Sequence, residues 1–263
     1  MKLFMNVGAS TSNLYPMNTE DALDELLKAG FRTVEVFLNT ESETKPEFAT
    51  DLRKRADKYR ARIVSVHSYN SISEAFLFFS NYQRRLEDGL REIEHVFKAA
   101  FLMGASYVIL HGDRPKTPLS DDESVKRYEM LYDLAKENGI TLLLENVAKN
   151  RSGDLNYIDN MRRLIGDKAQ FTFDLKQCIR CGFKPSQVIS AMSGAIRHVH
   201  ISDCNPQHDC LVPGKGMIDY KELLTCLKEN GFNGDIILEL YRNNFRDVSD
   251  LIKGCRLLED VIK

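Results

Sequence analysis

Phe171-Thr172-Phe173-Asp174 has the alternating pattern from which the fold class is predicted. Side chains alternate between the two faces of a strand, so the two phenylalanines share one face and Thr172 and Asp174 share the other. The aromatic face is expected to pack against helices, which turns Asp174 inward at the end of its strand. In parallel barrels, polar residues at the ends of successive short apolar strands form the catalytic face, so an inward acid at a strand end indicates such a barrel.

Similar apolar runs recur along the chain, and all but the first carry an acid or a histidine at or near their ends. The predicted strands are Leu3–Val7, Thr33–Leu38, Ile63–Val66, Tyr107–Leu110, Thr141–Leu144, Phe171–Phe173, His198–Ile201 and Ile236–Leu240. The polar residues that accompany them are Glu35, His67, His111, Glu145, Asp174, His200 and Glu239. Such a ring predicts the mouth of a barrel.

Amphipathic stretches of helical period separate the runs. They are Asp21–Lys28, Glu47–Tyr59, Tyr82–Leu102, Asp122–Lys136, Tyr157–Leu164, Pro185–Met192, Lys221–Lys228 and Val248–Ile262. Turns from helix to strand are short and carry glycines, whereas loops from strand to helix are longer and more polar. The sequence therefore predicts a single (β/α)8 TIM barrel, an α/β fold in which residues 1–263 form one domain.

Composition agrees with a barrel enzyme and argues against several other classes. The 263 residues are 43% hydrophobic, and the net charge of −2 provides no field that would gather a nucleic acid. The N-terminal run is too short for a signal peptide or a membrane span, so we expect a cytoplasmic protein with no membrane partner. Six cysteines without dense spacing indicate reduced thiols. A zinc site of Cys178, Cys181, Cys204 and Cys210 is disfavoured by the spacing of its second pair.

Strand parity brings four potential metal ligands together. His198 and His200 share the inward face of their strand, and Glu239 points inward if Leu238 and Leu240 face the helices. Three carboxylates and one imidazole at one depth would repel one another without a cation, so Glu145, Asp174, His200 and Glu239 predict one divalent metal ion. Mostly oxygen ligands favour Mn²⁺ or Mg²⁺, with Zn²⁺, Co²⁺ and Fe²⁺ as alternatives.

Several motifs in the second half of the chain resemble those of the xylose-isomerase-like TIM barrels. The matching stretches are Glu145-Asn146, Phe173-Asp174, His198–Asp203, Pro213–Tyr220 and Leu238-Glu239. The resemblance implies a mononuclear metal centre on the four residues above, with Glu145 and Glu239 serving the proton transfers. It further implies an isomerase or epimerase of a sugar or sugar phosphate that works through an enediolate.

Two departures from the family pattern leave the substrate open. Ketose 3-epimerases of that superfamily have a histidine where this chain has Gln177 and an arginine where it has Cys210. A dehydratase acting on an inosose or a dehydroshikimate-like ketone is the main alternative, and a non-catalytic sugar-binding barrel is a weaker one. The AP endonucleases of the superfamily need further metal ligands, and here Gln177 and Cys210 replace two of them, which argues against DNA repair.

The remaining polar residues at the mouth are predicted to face a small carbohydrate substrate. His67 and His111 are expected to donate to substrate hydroxyls, the alternative being structural histidines packed beside the metal. Glu35, Gln177 and His208 are expected to line the pocket. These roles are assigned from position alone.

Two loops keep open interpretations. Lys215 lies between two glycines in the region where barrels bind phosphate, although a solvated lysine in a tight turn is the simpler explanation. Ala75–Phe79 is apolar and follows the third strand. It suits a lid, a contact with a second subunit in a homo-oligomer, or the start of a helix on the barrel rim.

Overall fold

A closed barrel of eight parallel strands forms the centre of the molecule, in a computed structural model that describes residues 5–263. The strands are β1 (Asn6–Ser10), β2 (Thr33–Phe37), β3 (Arg62–His67), β4 (Tyr107–Leu110), β5 (Thr141–Glu145), β6 (Phe171–Asp174), β7 (Ile196–Ile201) and β8 (Asp235–Leu238). They pair in sequence order, and β8 closes on β1. The predicted fold class is confirmed.

Helices surround the barrel and connect its strands. They are α1 (Thr19–Lys28), α2 (Pro46–Lys58), α3 (Glu74–Leu77), α4 (Gln83–Met103), α5 (Asp121–Glu137), α6 (Leu155–Ile165), α7 (Leu175–Arg180), α8 (Pro185–Ala191), α9 (Tyr220–Glu229) and α10 (Val248–Ile262). All eight predicted helices are present. The short helices α3 and α7 are additional, and both follow strands on the catalytic face. No helix among residues 5–263 has both the length and the apolarity needed to cross a membrane.

The first strand lies later in the chain than predicted. The predicted run Leu3–Val7 begins outside the described residues, and β1 continues through Gly8 to Ser10. A Cβ on Gly8 would stand 2.1 Å from the carbonyl oxygen of Thr33 on β2, so only glycine permits this close pairing. Asn13 then ties the end of β1 to β8, because its amide donates to Leu238 O at 2.9 Å and accepts from Leu240 N.

Along these strands, hydrophobic side chains that face the helices alternate with polar side chains that face the barrel interior, as the sequence predicts. Phe171 and Phe173 belong to the hydrophobic core between barrel and helices. Thr172 and His198, on the opposite parity, are completely buried inside the barrel. Burying the two phenylalanines contributes about 2–3 kcal/mol each, so this parity is strongly specified.

The end of β6 leads directly into α7, and this junction shapes the site. Asp174 is the last residue of β6 and also the N-cap of α7, since its Oδ1 accepts from Gln177 N at 2.7 Å. The cap fixes the carboxyl group and leaves Oδ2 free to face the barrel mouth. It also places the first turn of α7, with Lys176, against the strand ends.

Candidate metal centre and active site

Four potential metal ligands converge at the carboxyl ends of β5 to β8. One ligand atom from each of Glu145, Asp174, His200 and Glu239 lies within 4.8 Å of the others. His200 Nδ1 lies 3.5 Å from Glu145 Oε1, 3.8 Å from Asp174 Oδ2 and 3.6 Å from Glu239 Oε2. The imidazole nitrogen therefore faces all three carboxylates across one small space.

His200 is oriented from beneath by a buried carboxylate. Glu35 Oε2 lies 3.0 Å from His200 Nε2 and 3.0 Å from His198 Nε2, and it accepts from Ser65 Oγ at 2.8 Å. Glu35 is completely buried, so it does not line a substrate pocket as predicted from its position. Burial raises its pKa, but the two histidines outweigh burial and hold the pKa well below its usual range. An ionised Glu35 fixes Nε2 as the protonated nitrogen and directs Nδ1 upward.

Glu145 is flanked by the two predicted rim histidines. His111 Nε2 lies 3.1 Å and His67 Nε2 lies 3.6 Å from Glu145 Oε2. His67 is buried and stacks on Phe37 at 4.7 Å between ring centroids, whereas a quarter of the His111 side chain is exposed. Burial lowers the pKa of His111, but Glu145 raises it more strongly, to about 9. A cationic His111 keeps Glu145 ionised, and the pKa of Glu145 falls well below its usual range despite burial.

A buried lysine also reaches the centre. Lys176 Nζ donates to Glu239 Oε2 at 3.0 Å and lies 3.5 Å from Asp174 Oδ2. Only 6% of its side chain is exposed. Burial lowers the pKa of Lys176, but the carboxylates of Asp174 and Glu239 overcome this and raise it well above the usual value. The ammonium group is charged and is surrounded by acids.

The three acids titrate differently because their neighbours differ. The pKa of Asp174 rises to about 7, because burial and the charges of Glu145 and Glu239 together outweigh the opposing charge of Lys176. Burial also raises the pKa of Glu239, but Lys176 and His200 bring it below its usual value. Like charges held this close resist simultaneous ionisation unless cations compensate them.

The donor set fits a divalent cation. His200 Nδ1 and Asp174 Oδ2 are buried and have no hydrogen-bond partner, although buried polar atoms are normally satisfied. Three carboxylates and one imidazole, which is neutral when it binds a metal ion, are ligands that Mn²⁺, Mg²⁺ and related ions accept. Glu35 supplies the hydrogen bond that a metal-binding histidine usually makes through its other nitrogen.

A cavity of about 620 Å³ opens beside this centre. Glu239 and Lys176 form its inner end, and aromatic side chains form much of its wall. The lining aromatic residues are Tyr15, Phe37, Tyr69 and Tyr241. Mostly apolar walls with a few polar groups at one end are typical of small-molecule sites.

Two residues predicted to contact substrate point elsewhere. Gln177 Oε1 accepts from Ala148 N at 3.1 Å, which ties α7 to the loop after β5. His208 is exposed in the loop after β7 and does not line the cavity. Cys210, at the position of the epimerase arginine, is buried, and its thiol donates weakly to Glu239 O at 3.6 Å. The Cys210 thiol thus contacts the backbone of Glu239.

The glycine-flanked Lys215 does not form a phosphate loop. The backbone N–H groups of Gly214 and Gly216 both donate to Asp203 Oδ2, at 2.8 and 3.0 Å. Asp203 Oδ1 accepts from Ile218 N at 3.1 Å. The Asp203 carboxylate thus accepts from the backbone N–H groups that would otherwise bind a phosphate. Lys215 is an exposed residue of a tight turn. Among the described residues, the four candidate cysteines form no cluster of metal-binding geometry.

The sequence analysis did not predict Lys176 or Glu74 as part of the site. Glu74, in α3, is completely buried, and its Oε2 accepts from Gly112 N at 2.7 Å, which fastens the loop Ala75–Phe79 to the end of β4. Of the three interpretations of that loop, the structure agrees with the start of a helix on the barrel rim. The loop begins within the short helix α3, and Phe78 and Phe79, which follow it, are buried. The position of Lys176 could have been predicted from Asp174, because an N-cap residue at a strand end implies that a helix turn follows directly.

Known proteins share this architecture over nearly the whole chain. The sequence model of the family described as "Xylose isomerase-like TIM barrel" matches residues 23–261. An inosose dehydratase of Lacticaseibacillus casei is 24% identical over 245 residues, which cover 84% of this chain and 81% of that protein. An inosose isomerase of Bacillus velezensis is 25% identical over 272 residues, which cover 93% and 90% of the two chains. The crystal structure of D-psicose 3-epimerase from Clostridium cellulolyticum H10 with D-tagatose has a TM-score of 0.81 at 14% identity and covers 98% of this chain and 100% of that chain.

Proposed function

We propose, because this chain belongs to the xylose isomerase-like TIM-barrel family, that it is a metal-dependent isomerase or epimerase of a sugar or sugar phosphate. The observation that carries the proposal is the convergence of Glu145, Asp174, His200 and Glu239 on one space beside a cavity that Glu239 helps to line. Mn²⁺ suits the donor set best, and Mg²⁺, Zn²⁺, Co²⁺ and Fe²⁺ are alternatives. The named relatives support a small polyhydroxylated ketone as the substrate class.

The reaction would proceed by proton abstraction next to a ketone. A bound divalent ion supplies Lewis-acid polarisation, which acidifies the C–H between a carbonyl and an adjacent hydroxyl group. Glu145 and Glu239 come from the ends of β5 and β8, which are not neighbouring strands, and their carboxylates lie 3.5 and 3.6 Å from His200 Nδ1. One would remove the proton to give an enediolate of the substrate, and the other would return a proton.

The neighbours of the two glutamates suit these roles. The charge of His111 keeps Glu145 ionised and able to accept a proton. Glu239 forms part of the cavity wall, where it would meet the substrate directly. Return of the proton to the opposite face of the same carbon gives an epimer, and return to the neighbouring carbon gives an isomer.

The carbohydrate would lie between the aromatic walls, with its hydroxyl groups near the rim histidines. Phe37 lines the cavity, and its stacking on the buried His67 ring supports a role for His67 beside the substrate. His111 has the exposure needed to donate to a hydroxyl group. Glu35 acts through His200 and is a positioning residue.

Dehydration of an inosose is the second candidate function, and the Lacticaseibacillus casei relative favours it. A dehydratase would begin with the same proton abstraction and then expel a hydroxyl group from the adjacent carbon. The two functions therefore share a centre and differ in their product.

Substrate screening in D2O tests the proposal. The Mn²⁺-loaded protein is incubated with ketoses, ketose phosphates and inososes, the metal is removed by chelation, and products are analysed by NMR and mass spectrometry. Deuterium in an isomeric product supports the isomerase or epimerase, and a product lighter by one water supports the dehydratase. Asp174→Asn is a matched control, because it keeps the cap to Gln177 N and removes the charge of Oδ2. Failure of every ketone to exchange hydrogen would refute both candidates.

A further inference from the structure

Lys176 shares two carboxylate oxygens with the proposed metal. The Asp174 and Glu239 oxygens that face His200 Nδ1, at 3.8 and 3.6 Å, are Oδ2 and Oε2. The same two atoms face Lys176 Nζ, at 3.5 and 3.0 Å. A divalent ion and the ammonium group therefore compete for one pair of ligand atoms, and their like charges repel at short range.

The ammonium group already has a contact besides the carboxylates. Lys176 lines the cavity, and while its Nζ contacts the carboxylates it lies 5.1 Å from the centroid of the Tyr241 ring. The face of a tyrosine ring attracts cations, so the lysine can keep this contact when it leaves the carboxylates. Arg180 contacts the same ring, because its Nη1 donates to the Tyr241 hydroxyl at 2.9 Å and its guanidinium carbon lies 5.5 Å from the ring centroid.

The side chains of Gln177 and Cys210, near Lys176 and Glu239, are engaged by other groups. Gln177 bonds to the backbone of Ala148, and the Cys210 thiol bonds to the backbone oxygen of Glu239. Lys176 is therefore the cationic donor next to Glu239 at the inner end of the cavity. An ammonium group there can donate to a substrate oxygen that the metal does not bind.

We propose that Lys176 and the metal exchange places, such that Lys176 neutralises Asp174 and Glu239 until a divalent ion binds and then turns toward Tyr241 to contact the substrate. This inference rests on the proposed function because it requires the metal centre. It makes Lys176 a specificity-determining residue at the site where Gln177 and Cys210 depart from the epimerase pattern. A negatively charged or strongly hydrogen-bonding oxygen on the substrate would suit it.

Calorimetric titration with Mn²⁺ alone tests the exchange. Lys176→Met removes the competing charge, so its dissociation constant for Mn²⁺ should be lower than that of the wild type by about tenfold or more. Lys176→Arg keeps the charge and should bind Mn²⁺ within about threefold of the wild type. Lys215→Met removes an exposed lysine of a turn and serves as the matched control, with no change expected. Equal or weaker Mn²⁺ binding by Lys176→Met would overturn the proposal.

Lysine acetylation provides a second test that needs no variant at Lys176. The wild type is treated with acetic anhydride with and without Mn²⁺, and modified lysines are quantified by mass spectrometry. Modification of Lys176 should rise severalfold with Mn²⁺, because the ion pairs no longer protect it, while modification of Lys215 stays constant. Unchanged modification of Lys176 in protein that binds Mn²⁺ would overturn the exchange alone. Failure of the wild type to bind any divalent ion would overturn the metal centre itself.

Discussion

Substitution of Glu35 by glutamine should weaken metal binding without disturbing the barrel. Glutamine keeps an oxygen that can accept from His200 Nε2, His198 Nε2 and Ser65 Oγ, which now meet Glu35 Oε2 at 3.0, 3.0 and 2.8 Å. The charge that makes His200 a stronger ligand is lost. Changes to such supporting groups typically cost about 10–100-fold in metal affinity, which corresponds to about 1.4–2.8 kcal/mol.

The assay is calorimetric titration of wild type and Glu35→Gln with Mn²⁺ at pH 8, with circular dichroism to confirm that both proteins are folded. Glu41→Gln is the matched control, because Glu41 is an exposed acid in the loop that follows the same strand. Its removal should leave the affinity within about twofold, since surface ion pairs contribute little. Wild-type Mn²⁺ affinity in folded Glu35→Gln would refute the orienting role of Glu35.

Two further predictions concern stability. Burial raises the pKa of Glu74 from about 4.5 to about 7, so the folded state favours the neutral acid. The contribution of this neutral acid to the free energy of unfolding is complete below pH 4.5 and is lost as the pH rises through 7. Glu74→Gln should therefore leave chemical denaturation unchanged near pH 4.5 and raise the free energy of unfolding by up to about 3 kcal/mol at pH 8; equal effects at both pH values would contradict the shift. Asp203→Ala removes the acceptor of the Gly214, Gly216 and Ile218 N–H groups. It should lower the free energy of unfolding, measured by urea denaturation, by about 3 kcal/mol or more. A loss below about 1 kcal/mol would show that these three hydrogen bonds contribute little to stability.

The barrel itself was predictable because its strands alternate strictly. The parity of Phe171 and Phe173 places Asp174 inside, and the same rule orients His198 and His200 correctly. The first strand was misplaced because Gly8 and its small neighbours resemble a loop. Its strand character comes from the close approach of β2, a tertiary contact that no local pattern records.

The site was only partly predictable, since depth within a barrel is not encoded locally. Glu35 was expected at the rim, although the predicted strand Thr33–Leu38 already extends beyond it. In the structure Glu35 lies one layer deeper, in the middle of β2, and meets the histidines of β7. Lys176 escaped prediction because lysine is usually solvated and α7 is too short to show a helical period. Its burial depends on Asp174 and Glu239, which come from different strands.

Hydrogen exchange between solvent and substrate tests the central claim most directly. Wild type, Glu145→Gln and Glu239→Gln are loaded with Mn²⁺ and incubated in D2O with the ketone that the wild type turns over best, and deuterium at the carbon next to the carbonyl is measured by mass spectrometry. We expect rapid incorporation by the wild type and a loss of about 100-fold or more in each variant, because general acid–base groups typically contribute that much. Incorporation at the wild-type rate in both variants would contradict the assignment of Glu145 and Glu239 as the proton-transfer groups.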